Sequence, residues 1–133
     1  MIIVDSSVWV DYFNGVRNPA SDRLDELLGV EPVGIGDLIL TEVLQGFRHD
    51  RDYRTAKALL TSLTVVEMLG KRLAIKAADN YRFLRKRGVT VRKTADVIIS
   101  TWCIENRVGL LYSDRDFELC RQYLQLSSAL DAT

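Results

Sequence analysis

Apolar and polar positions along this chain switch between two rhythms. Ile2-Ile3-Val4 is a short unbroken apolar run and predicts a buried strand. Ser6-Ser7 then offers a helix N-cap, with Trp9, Val10 and Phe13 on the inner face of a helix ending near Gly15. Asn18-Pro19 opens a second helix, with Leu24, Leu27 and Leu28 on one side and Gly29 as its stop. Val33 and Ile35 suit a strand. Asp37 is placed to cap a helix carrying Leu38, Val43 and Leu44, closed by Gly46. Residues 52–63 bring Ala56, Leu59, Leu60 and Leu63 to helical spacing, and Thr64-Val65-Val66-Glu67 returns to strand character. A long helix is predicted from about Lys71 to Lys86, ended by Gly88, then a helix capped by Thr94 that packs Val97, Ile98, Thr101, Trp102 and Ile104. Leu110-Leu111-Tyr112 reads as a strand. A short helix from about Asp116, which can cap it, to Tyr123, a strand-like run at Leu124–Leu126 and a frayed tail after Ser127 complete the pattern.

Strands alternating with helices predict an α/β fold: a three-layer α/β/α sandwich around a mostly parallel central sheet of about five strands. No repeat, linker or low-complexity stretch interrupts residues 1–133, which predicts a single domain. At 133 residues, with 47% hydrophobic and 27% charged positions, a core needs no disulfide or structural zinc. Cys103 and Cys120 form no CxxC pair, and His49, a loop residue expected to face solvent, is the lone histidine. A zinc finger, an iron–sulfur cluster and a two-histidine nuclease therefore lack their groups. Both cysteines are expected reduced in a cytoplasmic protein. The start has no basic n-region, and no apolar run approaches a membrane span.

Global charge balances at 18 Lys+Arg against 18 Asp+Glu, yet it is unevenly placed. Residues 71–93 hold nine basic and one acidic side chain, against six and eleven in residues 1–70. That segment is either a solvated helix face or a track for a phosphate backbone. Arg85, Lys86 and Arg87 are its densest part, and Arg92 and Lys93 stand just before Asp96.

Taken singly, each acid has a plain explanation. Asp5 and Asp116 can cap helices, Asp96 sits in a first turn where the helix dipole favours it, and Glu42 lies on a helix face. Taken together they suggest more. Asp5 and Asp114 both follow strands, so in a parallel sheet they share the edge where ligands bind. Carboxylates gathered there repel one another, and a hard cation such as Mg2+ or Mn2+ resolves the conflict through oxygen ligands. Such a site beside a basic track suits phosphodiester hydrolysis. No GxSxG, P-loop or GxGxxG is present.

Four motifs in order carry a resemblance: Ile3-Val4-Asp5-Ser6-Ser7-Val8-Trp9, Thr41-Glu42-Val43-Leu44-Gln45-Gly46, Thr94-Ala95-Asp96-Val97-Ile98-Ile99, and Leu110-Leu111-Tyr112-Ser113-Asp114-Arg115-Asp116-Phe117. With them the chain resembles the PIN-domain family, and within it the VapC-type toxins of bacterial toxin–antitoxin pairs. The resemblance implies that Asp5, Glu42, Asp96 and Asp114 surround Mg2+ or Mn2+, with Asp116 as an additional acid at an outer or second-metal position. Ser6 matches the small hydroxyl beside the first Asp. It further implies an endoribonuclease acting on tRNA or rRNA, leaving 5′-phosphate and 3′-hydroxyl ends, a homodimer, and a hetero-oligomer with an inhibitory VapB-type antitoxin. RNA contact by Arg85, Lys86, Arg87, Arg92 and Lys93 is inferred from charge, not from the resemblance. The alternative is a non-catalytic binding module on the same scaffold. A receiver domain or a haloacid-dehalogenase-type phosphatase fits poorly, because Asp5 is followed by Ser6-Ser7 where they require further acids.

Overall fold

The computed structural model describes residues 1–130. Four parallel strands are β1 (Ile2–Val4), β2 (Val33–Gly36), β3 (Thr64–Val66) and β4 (Gly109–Leu111). Between and after them run α1 (Ser6–Phe13), α2 (Pro19–Leu27), α3 (Asp37–Gln45), α4 (Asp50–Ser62), α5 (Lys71–Lys86), α6 (Thr94–Glu105) and α7 (Arg115–Leu124). The sheet order is β3-β2-β1-β4, with Ile3 opposite both Gly34 and Leu110, and Val4 opposite Leu111. Successive strands are added on one side of β1 until β4 crosses to the other. The winding therefore reverses between β1 and β4, and a crevice opens at their C-terminal ends.

Burial explains the strand pattern. Ile3, Val4, Ile35, Leu110 and Leu111 are inaccessible to solvent because helices cover both sheet faces. α1 packs on α2 and α3, and α3 on α4, while α5 packs on α6, and α6 on α7 and β4. α6 is buried on most of its circumference, and Asp96, Ser100 and Thr101 are buried with its apolar residues. Asn80 of α5 donates to the Thr101 hydroxyl at 3.0 Å, which donates to the Val97 carbonyl at 2.6 Å.

Among the described residues the sheet has four strands where about five are expected. The run at Leu124–Leu126 does not extend as a strand: α7 continues to Leu124, and Gln125 ends it in the left-handed region at φ 66°. Past that turn the chain makes a single parallel bridge, Leu110 to Ser128, held by Leu110 N–H to Ser127 O at 3.0 Å and Ala129 N–H to Leu110 O at 2.9 Å. Those same bonds tie down Ser128 and Ala129, the start of the tail expected to fray after Ser127. Residues 131–133 of the predicted tail lie outside the described residues.

The predicted helix caps also shift. Of the two caps expected for α1, Asp5 serves and Ser6-Ser7 does not; the others are Gly36 rather than Asp37, Lys93 rather than Thr94, and Asp114 rather than Asp116. A cap needs extended backbone, and the residue leaving a strand already has it: Asp5 lies at φ −70°, ψ 158° and Asp114 at φ −73°, ψ 136°.

Two glycines shape the site's support. Gly88, at φ 74°, closes α5: its N–H reaches Arg85 O at 3.0 Å, and Val89 N–H reaches Leu84 O at 3.0 Å. The chain is thereby turned into the loop carrying Arg92 and Lys93. Gly36 precedes the helix that carries Glu42, and a Cβ there would stand 2.2 Å from the sulfur of the fully buried Met68. Gly36→Ala is expected to destabilise the protein by about 1–3 kcal/mol through this overpacking. Urea unfolding measures it, and a change below about half a kcal/mol would mean that Met68 has room to move.

Candidate active site

The crevice between β1 and β4 is where the acids meet. Asp5 follows β1, and its N–H donates to the Leu111 carbonyl of β4 at 2.9 Å, so the two strand ends are stitched together. Capping α1 orients its carboxylate: Oδ2 accepts from the Ser7 hydroxyl at 2.9 Å and from the Ser7 N–H at 3.4 Å. Asp114 lies three residues past Leu111, and its Oδ1 accepts from Asp116 N–H at 2.9 Å. The Ser7 and Ser113 hydroxyls lie 3.4 Å apart and link the two turns.

Glu42 enters from α3 and Asp96 from the first turn of α6. The start of α3 is anchored by Asp37, whose Oδ1 accepts from Leu38 N–H at 2.9 Å and Met68 N–H at 3.1 Å. Asp5 and Asp96 are only 3% and 4% exposed, a burial carboxylates avoid unless something compensates. Glu42 Oε1 and Asp96 Oδ2 are buried without a hydrogen-bond partner.

Their proton affinities show how close these groups are. Burial raises the pKa of Asp5, hydrogen bonds from Ser7 and Ser6 oppose the rise, and Asp114 adds to it. Burial and the charge of Asp5 raise Glu42, against Lys93 and a hydrogen bond from the Ser6 side chain. Asp96 is pushed from 3.8 up to about 7 by burial, then by the charges of Asp5 and Asp114, with Lys93 opposing and Glu42 adding. Asp5, Glu42, Asp96 and Asp114 thus act on one another as a single anionic centre.

Such a centre fits a hard divalent cation in donor type and charge. Every acid offers carboxylate oxygens, two of those oxygens are buried without a hydrogen-bond partner among the described residues, and burial and mutual charge raise Asp96 despite the opposing Lys93. The fit is not that of a finished cage: among the described residues, no group of three or more acidic, His or Cys side chains forms a ready-made cation site.

Asp116 follows Asp114 by two residues and is held by a cation. Its buried carboxylate accepts from both the backbone N–H and the Nε of Arg92, each at 3.2 Å, through one oxygen. Arg92 therefore arrives at the acids by direct contact, and Lys93 by its effect on Glu42 and Asp96. Arg85 lines the groove between α5 and α6 with Thr94 and Val97 and sits over the Tyr81 ring. Arg87 stacks on Phe83 at 3.5 Å. Lys86 is exposed near the end of α5. Elsewhere on α5, Arg72 and Lys76 pair with Glu105 of α6, at 3.0 and 3.6 Å, so part of the basic helix serves packing. The hydroxyls divide the work: Ser7 orients Asp5, while the Ser6 side chain favours ionised Glu42. Sequence reading reached Ser6 but missed Ser7 and Ser113. The pattern that could have found Ser7 is an Asp cap followed two residues later by a hydroxyl.

Comparison with known proteins agrees with this architecture. The PIN-domain family model matches residues 2–121. The chain belongs to the PIN-domain family. VapC ribonuclease Mb1587 of Mycobacterium bovis is 31% identical over 134 residues, covering 97% of this chain and 98% of its own. Ribonuclease VapC11 of Mycobacterium tuberculosis matches with the same identity and coverage. Among solved structures, VapBC2 from Rickettsia felis bound to a DNA fragment from its promoter superposes with a TM-score of 0.75 at 15% identity, over 96% of this chain and 97% of that one. At that identity it speaks for the fold. This PIN-domain chain is thus of the VapC type, with its four motif acids at one sheet edge. No helix among the described residues is long and apolar enough to cross a membrane.

Proposed function

We propose that this PIN-domain protein is a metal-dependent endoribonuclease toxin that hydrolyses RNA phosphodiester bonds and is silenced by a VapB-type antitoxin. The observation that carries the reading is the anionic centre of Asp5, Glu42, Asp96 and Asp114, in which Asp5 and Asp96 are buried and, among the described residues, one oxygen each of Glu42 and Asp96 has no hydrogen-bond partner. The ribonuclease names of the relatives and the toxin–antitoxin context of the similar folds support it.

Mg2+ or Mn2+, when bound, supplies Lewis acidity that lowers the pKa of a water and offsets charge building on phosphoryl oxygens. Asp5, Asp96 and Asp114 would hold it. Asp5 is fixed for this by Ser7, and Asp114 by the α7 N-terminus. Glu42, held at the crevice by α3 and assisted by Ser6, accepts the proton of the attacking water. The Lys93 charge beside Glu42 and Asp96 helps keep both ionised. Attack by water leaves a 5′-phosphate and a 3′-hydroxyl. The preferred RNA is of the tRNA or rRNA class. The working assembly is a homodimer within a toxin–antitoxin hetero-oligomer, for which exposed Leu69, Ile75 and Phe83 supply apolar surface.

Purified protein incubated with total RNA tests the reading by end sequencing. Cuts bearing 5′-phosphates should appear with Mg2+ or Mn2+ and vanish with EDTA or in Asp5→Asn. Cleavage that survives both treatments would exclude the acidic centre. Absence of cleavage at any Mn2+ concentration, with antitoxin binding intact, would favour the non-catalytic scaffold.

A further inference from the structure

We propose that Arg92 is a substrate-contacting residue of this site, its guanidinium held by the buried carboxylate of Asp116 so that the free end of its fork meets a phosphodiester of single-stranded RNA. The inference rests on the ribonuclease reading and assigns Asp116 the task of positioning Arg92.

The geometry is asymmetric in an informative way. Asp116 is 7% exposed at its side chain, whereas that of Arg92 is 73% exposed. The acid is inside and the cation outside. A pair with both partners in water has little defined orientation. Here the backbone N–H and Nε of one residue converge on one carboxylate oxygen, so both the loop and the guanidinium plane are fixed relative to α7. Oδ2 of Asp116, accepting two N–H groups from one residue, is committed to holding Arg92.

Nε is therefore used, and among the described residues neither terminal nitrogen makes a hydrogen bond. Nη2 hangs 3.9 Å from Asp114 Oδ1, beyond hydrogen-bond length, which places the guanidinium over the rim of the acidic centre without consuming its donors. A planar fork with its stem pinned and its outer N–H groups open is the arrangement that recognises phosphate oxygens bidentately. The site needs such a group. Phosphate must approach a cluster of carboxylates, and among its positive neighbours Lys93 already faces Glu42 and Asp96.

The test uses the full chain and a fluorescein-labelled single-stranded RNA of mixed sequence, with anisotropy measured in EDTA across a salt series. Mn2+ uptake is titrated calorimetrically in parallel, and circular dichroism monitors folding. Arg92→Gln should weaken RNA binding about five- to tenfold and make the slope of log affinity against log salt shallower by about 0.7, the loss of one phosphate contact. Arg92→Lys should restore the slope but not the full affinity. Asp116→Asn should weaken RNA binding similarly while Mn2+ uptake stays at the wild-type level. An Arg92→Gln protein within about twofold of wild type and with its slope unchanged overturns the proposal. So does an Asp116→Asn protein that loses Mn2+ uptake but binds RNA normally. Wild-type protein that cuts RNA while ignoring the Arg92 substitution sinks this inference alone, whereas wild-type protein that neither binds nor cuts RNA sinks the ribonuclease reading with it.

Discussion

Asp96→Asn is expected to cost about a thousandfold or more in RNA cleavage while making the metal-free protein more stable. The loss arises if Asp96 helps to hold the cation, because the whole charge-stabilising contribution of the site, several kcal/mol, goes with it. The gain comes from proton linkage. The unfolded chain releases this proton near 3.8 and the folded chain near 7, so folding takes up a proton in between. Stability contributed by protonated Asp96 is present at low pH and declines as pH rises through that window, with the penalty complete above about 7. A shift of that size corresponds to about 4 kcal/mol at most. The crevice opens to water beside the partly exposed Asp114, which screens the repulsion, so about 1–2 kcal/mol is the expected gain at about pH 8. Thermal unfolding in EDTA should therefore show wild-type protein becoming more stable from about pH 8 to about pH 6, and Asp96→Asn responding much less. With saturating Mn2+ the order should reverse, since only the wild type keeps the full ligand set. A variant no more stable than wild type in EDTA at the alkaline end of that range would mean that the carboxylates do not repel one another as the geometry requires.

The second large effect is mechanical. Trp9 is fully buried on α1, with its ring stacked on Phe13 at 5.9 Å and set edge-on to Tyr12 at 6.1 Å. Phe13 in turn meets Phe47 beyond α3, so one aromatic cluster ties α1 to the helix that carries Glu42. Trp9→Ala should cost about 3–5 kcal/mol, measured by urea unfolding. A cost below about 1 kcal/mol would contradict the burial. Trp9→Phe should cost much less. It leaves a smaller void and removes an indole N–H that is buried without a partner, so part of the lost packing is offset. Cleavage at low temperature should survive in Trp9→Phe, because α1 still starts at Asp5.

The basic segment shows how a sequence signal can be correct in composition and mixed in meaning. Its charge is real, but Arg72 and Lys76 are spent on Glu105, and Arg87 sits over the Phe83 ring. Arg92 and Lys93 reach the acids because Gly88 turns the chain back over the sheet edge. Net charge along a window cannot tell these outcomes apart, since pairing depends on which helix packs alongside.

By itself the sequence determined the order and type of nearly every element and the family. Hydrophobic periodicity and glycine stops are local properties, and the four motifs keep their order and spacing. It also named Asp5, Glu42, Asp96 and Asp114 as candidates. The shared sheet edge was legible from the parallel pattern, whereas tertiary structure supplied how the acids bear on one another there, because that depends on β4 crossing to the far side of β1. Tertiary structure alone decided that Ser7 orients Asp5 and that Asp116 grips Arg92, since hydrogen-bond partners are fixed by backbone direction after the chain has packed. The expected fifth strand failed for the same reason: Leu124–Leu126 has apolar character either way, and the end of α7 allows only a single bridge to β4.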